Sequence, residues 1–99
     1  MKILALETDV AGVSEGAIAA DLLKQEAARV WELHQAGLIR EIYFRADQHK
    51  AVLILQCTDA EHANAVLGTL PLVRQHLIAF EIVPLTAYPG FARLFDTTP

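Results

Sequence analysis

The 99-residue chain is predicted to form one α+β domain with its elements in the order β-α-β-β-α-β. Three observations carry this. Apolar stretches of strand length recur four times, two longer stretches free of proline and rich in alanine and leucine lie between them, and a short polar turn joins the middle pair of strands.

Residues 2–8 read as the first strand, short and apolar-rich, and residues 9–13 as a loop containing Gly12. Ser14 is placed to cap a helix, and Glu15 suits the positive end of its dipole. Helix formers dominate from there to residue 36. Ala20, Leu23, Ala27, Val30 and His34 recur at helical spacing as one stripe, flanked by Trp31 and Leu33. Gly37 is suited to end the helix. Residues 38–45 alternate as a strand, Ala46-Asp47-Gln48-His49 is a polar turn, and residues 50–57 form an almost wholly apolar strand, so the two make a hairpin. Thr58-Asp59-Ala60-Glu61 reads as a capping box with Thr58 as the cap. A short helix follows to about residue 70, with Ala63, Val66, Leu67 and Leu70 facing inward, and Pro71 is expected to stop it. Residues 77–85 form the last strand, and Pro84 places its end on a sheet edge.

Right-handed crossovers turn this order into a ferredoxin-like sheet, strand order 4-1-3-2, with both helices on one face. Residues 1–99 make a single domain. Residues 86–99 are its tail, in which Phe91, Leu94 and Phe95 offer enough apolar area to dock on a neighbouring subunit.

Alternation sorts the strand residues onto two faces. Leu4, Leu6, Leu38, Ile42, Phe44, Leu53, Leu55, Cys57, Ile78, Phe80 and Ile82, with Thr8 and Arg40, are expected under the helices. Ile3, Ala5, Glu7, Ile39, Glu41, Tyr43, Arg45, Val52, Ile54, Gln56, Leu77, Ala79, Glu81 and Val83 fall on the other face, which is half apolar and half polar or ionisable. Two readings of that face compete. It is a subunit interface with ion pairs, or it holds a pocket in which a glutamate of raised pKa acts as a general base.

Composition narrows the partners. Apolar residues make up 54% of the chain, above the roughly 45–50% of typical domains, and the excess points to cover by another subunit. Twelve acidic against eight basic residues give a net charge of −4, and no basic run favours nucleic acid. The lone cysteine, Cys57, excludes an intrachain disulfide and any cysteine-based zinc motif. The apolar start is interrupted by Glu7 and Asp9, and no stretch has the length of about 18 residues that a membrane span needs. A cytoplasmic setting with no membrane partner is the expectation.

Single residues carry weaker signals. His34 reads either as a hydrogen-bonded histidine at a helix C-terminus or as an acid/base group at the seam of sheet and helix. His49 and His62 read as solvated, Cys57 as a small buried hydrophobe, and Trp31 as packing. The four histidines lack ligand spacing, so no metal site is expected.

Glu32-Leu33 through Gly37, then Arg40, Leu70-Pro71-Leu72, and Glu81-Ile82-Val83-Pro84-Leu85 with Pro89 run in register with a known family, as does Asp9-Val10 after the first strand. Over roughly residues 4–89 the chain resembles muconolactone Δ-isomerase. The resemblance implies a ferredoxin-like domain of the dimeric α/β-barrel kind, sheets packed face to face, and an enzyme that moves a double bond in a small unsaturated lactone without a cofactor. The chain departs from the family where Glu7 replaces an arginine and where Ile39-Arg40-Glu41-Ile42-Tyr43 keeps only Arg40 unchanged. These departures reverse charge in the expected pocket and mark a divergent relative.

The favoured expectation is therefore a homo-oligomeric, cofactor-independent isomerase of a small lactone or aromatic-catabolism metabolite. Glu7, Glu41 and Glu81 are its candidate bases. Arg40, Tyr43, Arg45 and His34 are its candidate substrate-binding groups. Glu7 and Glu81 fall on strands expected to be neighbours, where they would share a site. The alternatives are a non-catalytic ligand-binding or assembly module and a cofactor-free monooxygenase of the same superfamily.

Overall fold

A computed structural model of the chain describes residues 1–13, 16 and 18–96. Four strands, β1 (Lys2–Asp9), β2 (Ile39–Phe44), β3 (Ala51–Gln56) and β4 (Ile78–Pro84), form one antiparallel sheet in the order β2-β3-β1-β4. This is the predicted order. Helices α1 (Ala20–Gln35), α2 (Ala60–Leu67) and α3 (Pro71–Arg74) follow β1 and β3, and a 3₁₀ segment, Gly90–Phe95, lies in the tail.

Local chemistry explains most boundaries. At the end of α1, Gly37 takes φ +80° as the C′ residue. Its N–H donates to the His34 carbonyl and that of Leu38 to the Leu33 carbonyl, the paired bonds of a Schellman motif. Helix α1 starts at Ala20, later than expected, and Ala19 caps it without a side-chain bond. The expected cap, Ser14, and Glu15 lie outside the described residues. Asp59, not Thr58, caps α2: its carboxylate accepts from the His62 N–H at 2.8 Å, which puts Glu61 one position too early for a capping box. Pro71 does not merely stop α2. It opens α3 at the first helical position, where a missing N–H costs nothing. His76 ends α3 at φ +57°, a conformation that usually selects glycine.

The face assignment holds for β3 and β4 and for the second half of β2, and fails for β1. Ile3 pairs with Leu55 and Ala5 with Leu53, so Ile3, Ala5 and Glu7 face the helices while Leu4, Leu6 and Thr8 face away. Residues 3–6 of β1 are apolar throughout, so alternation there carries no phase. In β2 a register shift between Ile39 and Glu41 returns Ile39 to the helix side together with Ile42 and Phe44.

The helix side has a packed end and a hollow end. Ile3, Ala5, Ile39, Leu55 and Cys57 meet Leu33 of α1 and Ala63, Val66 and Leu67 of α2 in the buried core. Toward the hairpin, α1 no longer closes on the sheet. Leu23, Trp31, Ile42 and Phe44 remain exposed there (48%, 62%, 45% and 61%), around a cavity. The opposite face of the sheet carries Leu4, Leu6, Val52, Ile54 and Val83, each half-buried, with exposed Glu41, Tyr43, Gln56 and Glu81. The molecule extends 62 Å along its longest axis against 28 and 22 Å on the others. Its radius of gyration is 16.8 Å, above the ~13 Å usual for a compact chain of this length.

Candidate active site

The hollow end forms a cavity of about 600 Å³, within the range of small-molecule sites. Its walls are the exposed stripe of α1 (Leu23, Ala27, Val30, Trp31), the hairpin ends of the strands (Phe44, Ala51, Ile78, Phe80), and Leu70 and Leu72 before and within α3. Four ionisable side chains interrupt this apolar lining: Glu7, Glu26, His34 and His49.

The two carboxylates are held alike. Glu7 Oε1 accepts the Ala51 N–H at 3.0 Å, which joins β1 to the start of β3. Glu26 Oε1 accepts the Leu72 N–H at 3.0 Å, which ties α1 to α3. Each acid thus commits one oxygen to a backbone donor. Its other oxygen makes no hydrogen bond among the described residues. Burial pushes the Glu26 carboxyl above the ordinary range and the charge of Glu7 adds to the rise, while the Leu72 N–H pulls the other way. One acid of the pair therefore keeps its proton to higher pH than a free glutamate.

His34 sits at the C-terminal end of α1, with its ring 6.1 Å from that of Trp31. Its Nδ1 lies 2.8 Å from the Ile39 carbonyl oxygen. A carbonyl only accepts, so Nδ1 carries the hydrogen and the neutral ring keeps its lone pair on Nε2. The structure thus gives a hydrogen-bonded histidine at the helix C-terminus, in the wall of a cavity. His49, read from the sequence as solvated, is exposed, but it also lines the cavity and stacks on Phe44 at 4.5 Å.

Of the residues picked from sequence, the structure brings Glu7 and His34 together at this cavity. Glu41 and Tyr43 lie on the opposite face of the sheet, where the Tyr43 hydroxyl donates to Glu41 at 2.7 Å, a bond that raises the phenol's pKa. Arg40 borders a shallow recess on that face with Lys2, Glu41 and Gln56. Arg45 pairs with Asp47 in the turn at 2.7 Å. Glu81 pairs with Leu6 and is exposed, whereas Glu7 pairs with Phe80, so the shared site expected for Glu7 and Glu81 does not exist: they point to opposite sides of the sheet. Glu26 was missed. Its signal was present, a lone carboxylate three residues after Leu23 and four before Val30, inside the apolar stripe of an otherwise conventional helix. Among the described residues no cluster of His, Cys, Asp and Glu could hold a metal ion, and no helix is long and apolar enough to cross a membrane.

Sheet order, helix placement and the hollow between them define a ferredoxin-like α+β domain with a ligand-sized chamber. Within that class the affiliation is specific: the model of the muconolactone delta-isomerase family matches residues 5–90, and the chain belongs to that family. The crystal structure of a muconolactone isomerase superposes with a TM-score of 0.73 over 91% of this chain and 93% of that one, at 18% sequence identity. No curated protein matches.

Proposed function

We propose that the chain is a cofactor-independent isomerase that shifts a double bond in a small unsaturated lactone, using Glu7 and Glu26. One observation carries this reading. Two carboxylates, each pinned through one oxygen to a backbone N–H, line the same apolar chamber. Such a pair can divide the labour of proton transfer, one carboxylate taking a proton while Glu26, raised by burial, delivers one. Family membership supports the reaction class.

The chemistry conserves atoms and electrons. A base takes the proton γ to the lactone carbonyl, and the electron pair spreads through the double bond onto the carbonyl oxygen. A proton then adds at the α carbon and the double bond comes to rest one position along. Glu7 is the base, Glu26 the acid that holds its proton, and His34 Nε2 an acceptor that orients the ring. The apolar walls exclude water from the dienolate. Glu41 and Glu81 belong to a second role: with Leu4, Leu6, Ile54 and Val83 they form a face that a second copy of the chain covers, ion pairs to Lys2 and Arg40 satisfying the carboxylates. The tail aromatics dock on a further neighbour.

The test follows muconolactone in deuterium oxide by proton NMR. The wild type exchanges a ring proton and isomerises the double bond. Glu7→Gln lowers the rate by about 10²–10⁴-fold, the usual worth of a general base. Full exchange in Glu7→Gln and in Glu26→Gln would remove the proposal.

A further inference from the structure

A second cavity of about 730 Å³ opens beside the chamber at the hairpin end. The two share Glu7, Leu23, His49 and Ile78, so they form one continuous space. Among the described residues, three carboxylates line that space, Glu7, Glu26 and Asp9, against one ammonium, Lys50. That ammonium is already matched in the outer part, where Lys50 Nζ meets Asp9 Oδ2 at 3.1 Å. The inner chamber holds Glu7 and Glu26 with no lysine or arginine among its described residues. Its neighbouring donors are spent as well. The Ala51 N–H goes to Glu7, the Leu72 N–H to Glu26, and His34 Nδ1 to the Ile39 carbonyl. His49 stands exposed at the rim, where water screens it. A guest among the apolar walls therefore meets acceptors: the second oxygen of each glutamate and His34 Nε2. The donor the acids supply is the proton that Glu26 holds, and a lactone carbonyl can accept it.

We infer that the chamber selects against carboxylates, so that its preferred substrate is an unsaturated lactone bearing no charge. This rests on the chamber being the site of isomerisation and adds which lactones it favours. A carboxylate entering it gives up water, finds no cation and adds a charge of the same sign beside Glu7. When Glu7 takes the ring proton, negative charge passes to the dienolate without growing. The extra charge of an acidic substrate thus weighs alike on the bound state and the transition state, which raises KM and leaves kcat nearly unchanged.

Muconolactone and its methyl ester share a ring and differ in charge, and proton exchange into each is followed at neutral pH. The wild type is expected to favour the ester at least about tenfold in kcat/KM, with the difference in KM. Phe44 lines the chamber and is 61% exposed, so an arginine fits there without emptying the core. Phe44→Arg supplies the missing cation and closes the gap, whereas Phe44→Met keeps it. Equal or better use of the acid by the wild type overturns the inference, as does a Phe44→Arg variant that melts like the wild type and leaves the gap unchanged. Trp31, the sole tryptophan, lines the chamber and gives a readout without turnover. Benzamide is expected to quench its fluorescence at lower concentration than benzoate. Exchange into neither lactone with that preference intact strikes the isomerase reading alone. Exchange with no preference for the ester strikes the charge selection alone, and quenching by neither probe or equally by both also overturns it.

Discussion

Glu26 ties α1 to α3 and, in the proposed reaction, delivers a proton, and substitution separates the two. Glutamine keeps an oxygen for the Leu72 N–H and removes the titration. The wild-type carboxyl has its pKa raised by burial and by Glu7, so the folded state binds that proton more tightly than the unfolded chain does. The resulting stabilisation is full below the ordinary glutamate value of 4.5 and is lost as pH rises through the raised value. Thermal melts of Glu26→Gln should therefore gain on the wild type as pH increases across that window, and a constant difference would contradict the assignment. The rate profile carries the same sign: if Glu26 acts as an acid, isomerisation falls as pH passes its pKa, and Glu7→Gln moves that fall to lower pH by removing a like charge. Cys57 stands apart from this chemistry. It is buried in the core, and burial holds its thiol above the usual range, so a disulfide-exchange reagent should label it slowly until the protein is unfolded.

At the scale of elements, two helix ends make the same turn with different residues. Gly37 closes α1 at φ +80° and His76 closes α3 at φ +57°. A side chain in that conformation costs roughly 1 kcal/mol or more. Gly37→Ala should lose about that amount in chemical denaturation, and His76→Gly should gain a comparable amount where nothing else depends on the imidazole. The elements were legible in the sequence because they rest on local rules: helix formers without proline, Gly37 as a terminator, a polar turn, Pro84 on an edge strand. The phase of the strands was less so. Ile3-Leu4-Ala5-Leu6 has no polar member to tell inside from outside, and only pairing with Leu53 and Leu55 decides it. The register shift after Ile39 leaves no mark in the residue types. The site inherited both difficulties. Alternation marks Glu7 as a candidate base but puts it on the wrong face beside Glu81, while its spatial partner, Glu26, comes from a helix and so lies outside any alternation argument.

At the scale of the molecule, two apolar surfaces lack a partner among the described residues. One is the sheet face away from the helices. The other is the projecting tail, where Tyr88, Phe91, Leu94 and Phe95 are 68%, 67%, 75% and 80% exposed. The tail's local order is its own: Tyr88 and Phe91 meet edge to face at 5.1 Å, and a side chain at Gly90 would collide with the Tyr88 ring. A standard interface removes about 800 Å² from each partner, which a four-stranded face can supply. Light scattering should find no monomer at micromolar concentration, and Leu6→Glu, which places a second carboxylate opposite Glu81 on that face, should release one. A wild type that runs as a stable 11 kDa species would count against self-association. Ending the chain after Leu85 should leave the melting transition of the domain intact and reduce the size of the assembly.

The split of the helix side into a filled half and a vacant half has an evolutionary corollary. The residues that specify the topology, such as Leu33, Ile39, Leu55 and Leu67, are different from those that would meet a guest, such as Ala27, Val30, Phe44 and Ile78. Selection can rewrite the second set while leaving the first alone, so descendants of one ancestral scaffold can drift in diet and still fold.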